Sequence, residues 1–169
     1  MKQIAAALMA TSFALGGRFF VKKLSSRLLK LEKILVLFSD IGSRIRYTAD
    51  SLTDIFISLD SSGNYHTLGF VNECKNLLVS GESFLSAWET ATKNRNNIWS
   101  LKREDVAILQ SFGSALGTTD VTGQISNCEI HKKLVEEKLN SAKKDYSLYS
   151  KPVGGIGVLA GIATLILSI

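Results

Sequence analysis

The apolar positions of this chain follow a helical period over most of its length. They recur at steps of three and four residues from residue 24 to 45, and again from 125 to 149. Such spacing collects apolar side chains on one face of a helix, whereas alternation with a period of two, typical of strands, is not sustained anywhere. The pattern predicts two long helices with these buried stripes: Leu24, Leu28, Leu31, Leu35, Phe38, Ile41 and Ile45; and Ile125, Cys128, His131, Val135, Leu139, Ala142, Tyr146 and Tyr149.

Shorter helical segments fill the region between the two long helices. Asp50 or Ser51 is predicted to cap a helix that ends at Leu59, and residues 60–64 have the composition of a loop. A polar, asparagine-rich stretch at 94–100 is predicted to connect two further helices. The next apolar stripes are predicted to be Leu68, Val71, Cys74 (or Lys75) and Leu78 before a stop at Gly81, and then Phe84, Leu85, Trp88 and Ala91.

Two glycines punctuate the fifth predicted helix. Gly117 follows its last apolar residue and is predicted to be a left-handed C-terminal cap. Gly113 lies inside the helix, where glycine costs about 1 kcal/mol relative to alanine, so it indicates a bend or the close approach of another helix. The residues 118–120 then form a capping cluster for the last helix. The predicted fold is an all-α bundle of about six helices, flanked by N- and C-terminal transmembrane helices.

Uncharged stretches occur at both ends of the chain, at 3–17 and 152–169. A helix needs roughly 17 to 25 apolar residues to cross a bilayer, so the second stretch is just long enough and the first must extend past Arg18 to Val21. We therefore predict an N-terminal anchor (1–21), a cytoplasmic α-helical domain (22–151) and a C-terminal anchor (152–169). A cleaved signal peptide ending near Gly16 is the alternative for the first stretch.

The distribution of charge favours the two-anchor interpretation. Only Lys2 precedes the first apolar stretch, whereas five bases follow it before the first acid, Glu32. Because basic residues tend to stay on the cytoplasmic side, the central domain should face the cytoplasm. The predicted localisation is the cell membrane. The bases that flank the two stretches are Arg18, Lys22, Lys23, Arg27 and Lys30, and then Lys143, Lys144 and Lys151.

The sequence contains no recognisable catalytic, cofactor or metal motif. His131 falls on a predicted buried stripe, and Cys74 and Cys128 match no metal-ligand spacing, so all three are predicted to be structural. The net charge of +5 is too small to indicate nucleic acid, since the bases cluster beside predicted membrane spans. We therefore predict a non-enzymatic protein with no cofactor, no small-molecule substrate and membrane lipid as one partner.

Small residues recur at helical spacing within the predicted spans. Gly157 and Gly161 are four residues apart, a spacing that lets helix backbones approach closely in lipid. Glycine is also common in membrane helices without such a role. Packing through these glycines and mere composition are both consistent with the sequence.

One segment carries the resemblance to a known family. The order of its residues, together with the long helix and glycine-rich end that follow, resembles the stage III sporulation protein AB family over nearly the whole chain. Ala87-Trp88-Glu89 also falls where that family has a tryptophan motif. The chain departs from the family pattern at Arg44, where an acid is expected, and at Ser51, where a proline often occurs. The segment is Leu101-x-x-x-Asp105-x-x-Ile108-Leu109-x-x-Phe112-Gly113-x-x-Leu116-Gly117-x-x-Asp120-x-x-x-Gln124.

The resemblance implies a component of the channel complex between mother cell and forespore. The family is similar to the cytoplasmic domains of platform proteins in type II secretion and type IV pilus machines. A platform or scaffold of this kind would dock the sporulation ATPase, the stage III AA protein, and other stage III channel subunits in the mother-cell (outer forespore) membrane. The residues it singles out for partner docking or as family motif are Trp88, Asp105, Gly113, Gly117, Asp120 and Gln124.

Two alternatives stay open. A small membrane-permeabilising, holin-like protein would also have glycine-rich spans, although it would not need a bundle of this size. Asp120 and Gln124 lie one helical turn apart and are predicted to form a docking face, but Asp120 is equally suited to cap the last helix.

Overall fold

The computed structural model describes the backbone of residues 2–48 and 50–167, and the side chains of residues 16–48 and 50–150. All regular structure in the described residues is helical, which confirms the predicted all-α class. Along the sequence, four short helices lie between two long ones. They are α1 (Lys2–Tyr47), α2 (Leu52–Ser61), α3 (Gly69–Val79), α4 (Phe84–Lys93), α5 (Arg103–Ala115) and α6 (Val121–Leu167).

The chain divides into two compact units, one of residues 1–28 and 140–169 and the other of residues 29–139. In the first unit, Arg27 and Asp145 form an ion pair with an N–O distance of 3.5 Å. The edge of the Phe20 ring meets Tyr149 at a centroid distance of 5.7 Å. Because the earlier residue of α1 pairs with the later residue of α6, the two helices run antiparallel in this unit.

The predicted membrane anchors lie outside the described side chains, except for residues 16–21. No helix in the described part of the chain has a stretch long and apolar enough to span a bilayer. The anchors, their boundaries at 22 and 151, and the packing of Gly157 and Gly161 therefore stay predictions.

In the second unit, α1 packs against α5 and α6 through aromatic side chains. The Phe38 and Phe112 rings stack with centroids 3.8 Å apart, and each makes a T-shaped contact with the His131 ring. A Cβ added to Gly42 would lie 3.1 Å from the Cβ of Cys128, so α1 and α6 approach closely here. Leu31, Phe38, Ile41 and Ile45 of the predicted α1 stripe are buried, whereas Leu35 is half-buried and the buried face also includes Ile34 and Leu37. Its fully buried residues are Leu31, Ile34, Leu37, Phe38 and Ile41.

The predicted boundaries of α2 are right at its start and two residues short at its end. The Ser51 side chain accepts a hydrogen bond from the Asp54 amide and caps the helix. The predicted loop from Asp60 is wrong for its first two residues, which are helical. The Asp60 carboxylate binds the Lys75 ammonium of α3 at 2.8 Å, and this contact keeps the last turn of α2 in place.

The outcome for the α4 stripe is mixed. Trp88 and Ala91 are fully buried as predicted, but Leu85 is 45% exposed and Ala87 takes the buried position instead. A helix of ten residues buries only the positions that share one face, and Leu85 lies about 100° away from Phe84 around the helix axis. The prediction for Leu85 is therefore wrong.

The two glycines of α5 behave as predicted. Gly117 has a φ of +80°, the left-handed conformation that ends a helix. A Cβ added to Gly113 would lie 1.9 Å from Cδ1 of Trp88. Close approach, rather than a bend, therefore explains the glycine inside α5.

Candidate functional site

The exposed end of the family segment forms the 117–124 corner, which we define as residues 117–124 between α5 and α6. The end of α1 and the start of α2 lie beside this corner and enclose a shallow cleft of about 290 Å³ with it. Apolar and polar side chains both line the cleft, so it could hold an apolar side chain from a partner within a polar rim. The lining residues are Ile45, Asp50, Leu52, Gly117, Val121 and Gln124.

Asp120 begins α6. Its Oδ1 accepts a hydrogen bond from the Gly123 amide at 2.9 Å, and its carbonyl accepts one from the Gln124 amide at 2.9 Å. These bonds confirm the capping role that the sequence predicts for Asp120. The side chain is exposed, so its charge is also presented to solvent.

Gln124 lies one turn into α6 and lines the cleft. Its side-chain amide donates to the Thr119 carbonyl at 3.0 Å, which ties the helix back to the turn before it. Val121, beside it on the rim, is 53% exposed. The structure thus brings Gly117, Asp120 and Gln124 together in one corner, whereas their role in docking stays a prediction.

Exposed carboxylates occur at this corner, and the exposed Arg46 follows Ile45 at the end of α1. Asp50 and Asp120 are exposed, and so is Asp54 in the first turn of α2, where it accepts a hydrogen bond from the Ser51 hydroxyl at 2.6 Å. Carboxylates around a small apolar cleft favour a basic partner segment with an apolar side chain at its centre. The cleft and the carboxylates beside it are therefore suited to binding such a segment.

Trp88 and Gly113 lie in the core instead of at the corner. The Trp88 ring is fully buried, and its Nε1 donates to the Leu109 carbonyl at 2.7 Å. Both residues therefore join α4 to α5, and the ring makes further aromatic contacts with Phe56, Phe70, Phe84 and Phe112.

Asp105 is also buried and works on the backbone. Its carboxylate accepts a hydrogen bond from the Lys102 amide at 2.8 Å, which satisfies a free N–H group at the start of α5. Trp88, Asp105 and Gly113 thus fix the position of α5, and α5 in turn ends at the exposed corner.

Comparison with known families now decides the affiliation. The family model of Stage III sporulation protein AB (spore_III_AB) matches residues 2–169. The chain belongs to this family. The AB family is a structural component of sporulation and is not a known enzyme family. Membership of this family supports a role of the chain in the sporulation stage III complex. No curated protein and no solved structure matches the chain.

The titratable core residues of this AB-family chain have structural partners or apolar surroundings. His131 contacts the Asn127 carbonyl through Nδ1 at 2.9 Å and the Ser111 hydroxyl through Nε2 at 3.2 Å. Burial raises the pKa of the Cys74 thiol to about 12 and that of Cys128 to about 11, which makes both thiols unreactive near neutral pH. No group of three metal-ligating side chains occurs within the described residues.

Sequence reasoning missed a set of long-range polar contacts in the AB-family bundle. Lys30 of α1 donates two hydrogen bonds to the connection between α4 and α5, and Glu73 of α3 accepts two from the same connection. Tyr65, in the loop before α3, donates to the Asp40 carboxylate. The abundance of asparagine at 94–97 was the one local signal that this connection is bonded on several sides.

Proposed function

We propose that this chain is a membrane-anchored, non-enzymatic platform of the stage III complex. Its central domain faces the cytoplasm and docks the sporulation ATPase, the AA protein, together with other channel subunits. Its location is the mother-cell (outer forespore) membrane. Membership of the AB family supports a role in the stage III complex. The excess of bases beside both predicted spans supports the cytoplasmic orientation of the central domain.

The observation that carries the docking proposal is the contrast within the family segment. Trp88, Asp105 and Gly113 are buried and position α5, whereas Asp120 and Val121 are exposed at its far end beside the cleft. A protein without catalytic machinery acts through the surfaces that it presents. The 117–124 corner combines a cleft of mixed polar and apolar lining with exposed carboxylates beside it, so it is the surface that we assign to the ATPase.

Substitution of Val121 tests this assignment. Val121→Lys adds a positive charge at the rim of the cleft without removing a core contact, since the side chain is 53% exposed. Because the carboxylates at this corner favour a basic partner segment, we expect the full chain in nanodiscs to bind the purified AA ATPase at least about tenfold more weakly, a loss of about 1.4 kcal/mol. Ile130→Lys is the matched control, because Ile130 lies on the same helix and is 54% exposed. Equal affinity for Val121→Lys and the control would remove the corner as the docking surface.

Asp120 separates capping from docking. Asparagine caps a helix about as well as aspartate, so Asp120→Asn keeps the cap and removes the charge, whereas Asp120→Ala loses about 1 kcal/mol of stability. We expect Asp120→Asn to melt like the wild type and to bind the ATPase more weakly. If binding is unchanged while Asp120→Ala lowers stability, the residue is only a cap.

The proposed orientation has an independent test. A single cysteine at Asn64, in a background with Cys74 and Cys128 replaced by alanine, should resist an impermeant thiol reagent in intact cells and react after lysis. Labelling of intact cells would place the domain on the other side of the membrane.

A further inference from the structure

The connection between α4 and α5 is basic and contains no acid. Together with the last residue of α4 and the first of α5, its sequence from Lys93 to Arg103, KNRNNIWSLKR, carries four bases among eleven residues. We call it the 93–103 loop. It also contains Trp99, which is 40% exposed, whereas the other tryptophan, Trp88, is fully buried.

The 93–103 loop is fixed from two sides. The buried Lys30 ammonium donates to the carbonyls of Asn97 and Trp99 at 2.8 and 2.9 Å. On the other side, the Glu73 carboxylate accepts from the side-chain amides of Asn94 and Asn97 at 2.9 and 2.5 Å. A surface held in this way loses little conformational entropy when it binds a partner.

The chemistry that the loop presents is an aromatic ring among cations. Arg95, Lys102 and Arg103 are exposed. Glu89 pairs with Lys93, a base of the loop itself, at 2.8 Å, and Glu104 pairs with Lys138 at 2.5 Å. The proposal therefore uses the charges of Arg95 and Arg103.

We propose that the 93–103 loop lies on the anionic headgroup surface of a bilayer, with Trp99 inserted at the level of the headgroups. Tryptophan concentrates at this interface because its ring is apolar and its N–H is polar, and each base near an anionic surface gains about fivefold in binding, the equivalent of about 1 kcal/mol. The proposal rests on the membrane topology of the proposed function, in which the chain is anchored in a bilayer.

A membrane surface fits the loop better than a nucleic acid does. Binding of single strands uses several aromatic side chains on which successive bases stack. Trp99 is the one aromatic residue of the 93–103 loop, and the chain carries a net charge of only +5. A bilayer needs a single interfacial ring and a few bases beside it.

Tryptophan fluorescence of the full chain in vesicles tests the proposal. The vesicles contain phosphatidylcholine alone or with about a third phosphatidylglycerol, with and without brominated lipid as a quencher. We expect Trp99 to be quenched in anionic vesicles and much less in neutral ones. Trp99→Phe reports the signal of Trp88, which should stay unquenched because that ring is enclosed by the core.

Matched double variants identify the source of the attraction. Arg95→Gln with Arg103→Gln should reduce the quenching in anionic vesicles to its neutral-vesicle value, because two bases correspond to roughly thirtyfold in the local binding equilibrium. Arg46→Gln with Lys133→Gln removes the same charge at other exposed positions and should leave the quenching unchanged. Equal behaviour of the two double variants, or no quenching in anionic vesicles, overturns the proposal. A response of Trp99 to an oligonucleotide but not to vesicles overturns it as well.

Failure of the topology and failure of the loop are distinguishable. If carbonate extraction releases the chain from vesicles, the two-anchor topology is wrong. Flotation of that released chain with anionic but not neutral vesicles, lost in the Arg95→Gln, Arg103→Gln variant, would still support the loop. Absence of flotation would overturn it.

Discussion

Two contacts of α4 and its flanking loop use opposite chemistry. The Trp88 ring lies directly over Gly113 and joins α4 to α5 by apolar packing. The 93–103 loop that follows α4 is held by the Lys30 ammonium and by the Glu73 carboxylate. The first contact tolerates no added atom, whereas the second depends on donors and acceptors that come from distant parts of the chain. Steric fit therefore fixes the angle between the helices, and buried polar contacts fix the shape of the loop.

The largest effect is expected at the apolar contact. Gly113→Ala places a Cβ 1.9 Å from Cδ1 of Trp88, so the two helices must move apart. We expect a loss of about 3 kcal/mol in the free energy of unfolding, the upper part of the usual range for overpacking, despite the better helix propensity of alanine. Urea denaturation of the full chain in detergent measures it. Ser114→Ala on the exposed side of α5 is the control and should change stability by less than about 0.5 kcal/mol.

The polar clamp should come next. Lys30→Met keeps most of the apolar stem but removes the donor for two carbonyls, which we expect to cost about 2 kcal/mol. Hydrogen exchange of the amides at 94–101 should accelerate in the same variant. Lys33→Met, one turn further along α1, is the control and should leave that exchange unchanged. Normal stability with slow exchange in Lys30→Met would show that the loop holds its shape without the clamp.

A local turn should matter less than either long-range contact. Gly117→Val puts a β-branched residue at a φ of +80°, and we expect a loss of at least about 1 kcal/mol. Gly117→Asn should lose less, because asparagine enters the left-handed region more readily. Chemical denaturation of the two variants side by side is the measurement. A Gly117→Val variant with wild-type stability would mean that α5 does not end in this conformation.

The smallest effect is expected at an exposed polar contact. The hydrogen bond from Lys75, assisted by Asn72, holds the pKa of Asp60 below its ordinary value of 3.8. The stabilisation is therefore complete above about pH 4 and is lost as the pH falls through the lowered pKa. We expect less than about 1 kcal/mol, because the pair is partly exposed. Lys75→Met should reduce the loss in the free energy of unfolding that occurs as the pH falls from about 5 to about 2. An unchanged acid profile would assign that loss to other carboxylates.

The sequence predicts features that have a local cause. Gly117 follows a last apolar residue and Ser51 precedes a helical run, so each carries its explanation within a few residues. Gly113 indicates a close approach by its place inside a helix, but its partner, Trp88, lies in another helix. Lys30 and Asn97 are 67 positions apart, and no pattern in the sequence near either residue predicts their hydrogen bond. At the candidate site, the cap by Asp120 was predictable, whereas the cleft beside it was not, because α1, α2 and the connection between them supply half of its lining.

The meeting of Gly42 and Cys128 also has a consequence for synthesis of the chain. The two residues are 86 positions apart, so at about 5 to 20 residues per second the ribosome needs roughly 4 to 17 s to make the second after the first. Phe38 is without its ring partners until Phe112 and then His131 have been made. The nascent chain therefore passes through a period of exposed apolar surface, in which a chaperone has most to contribute to its yield.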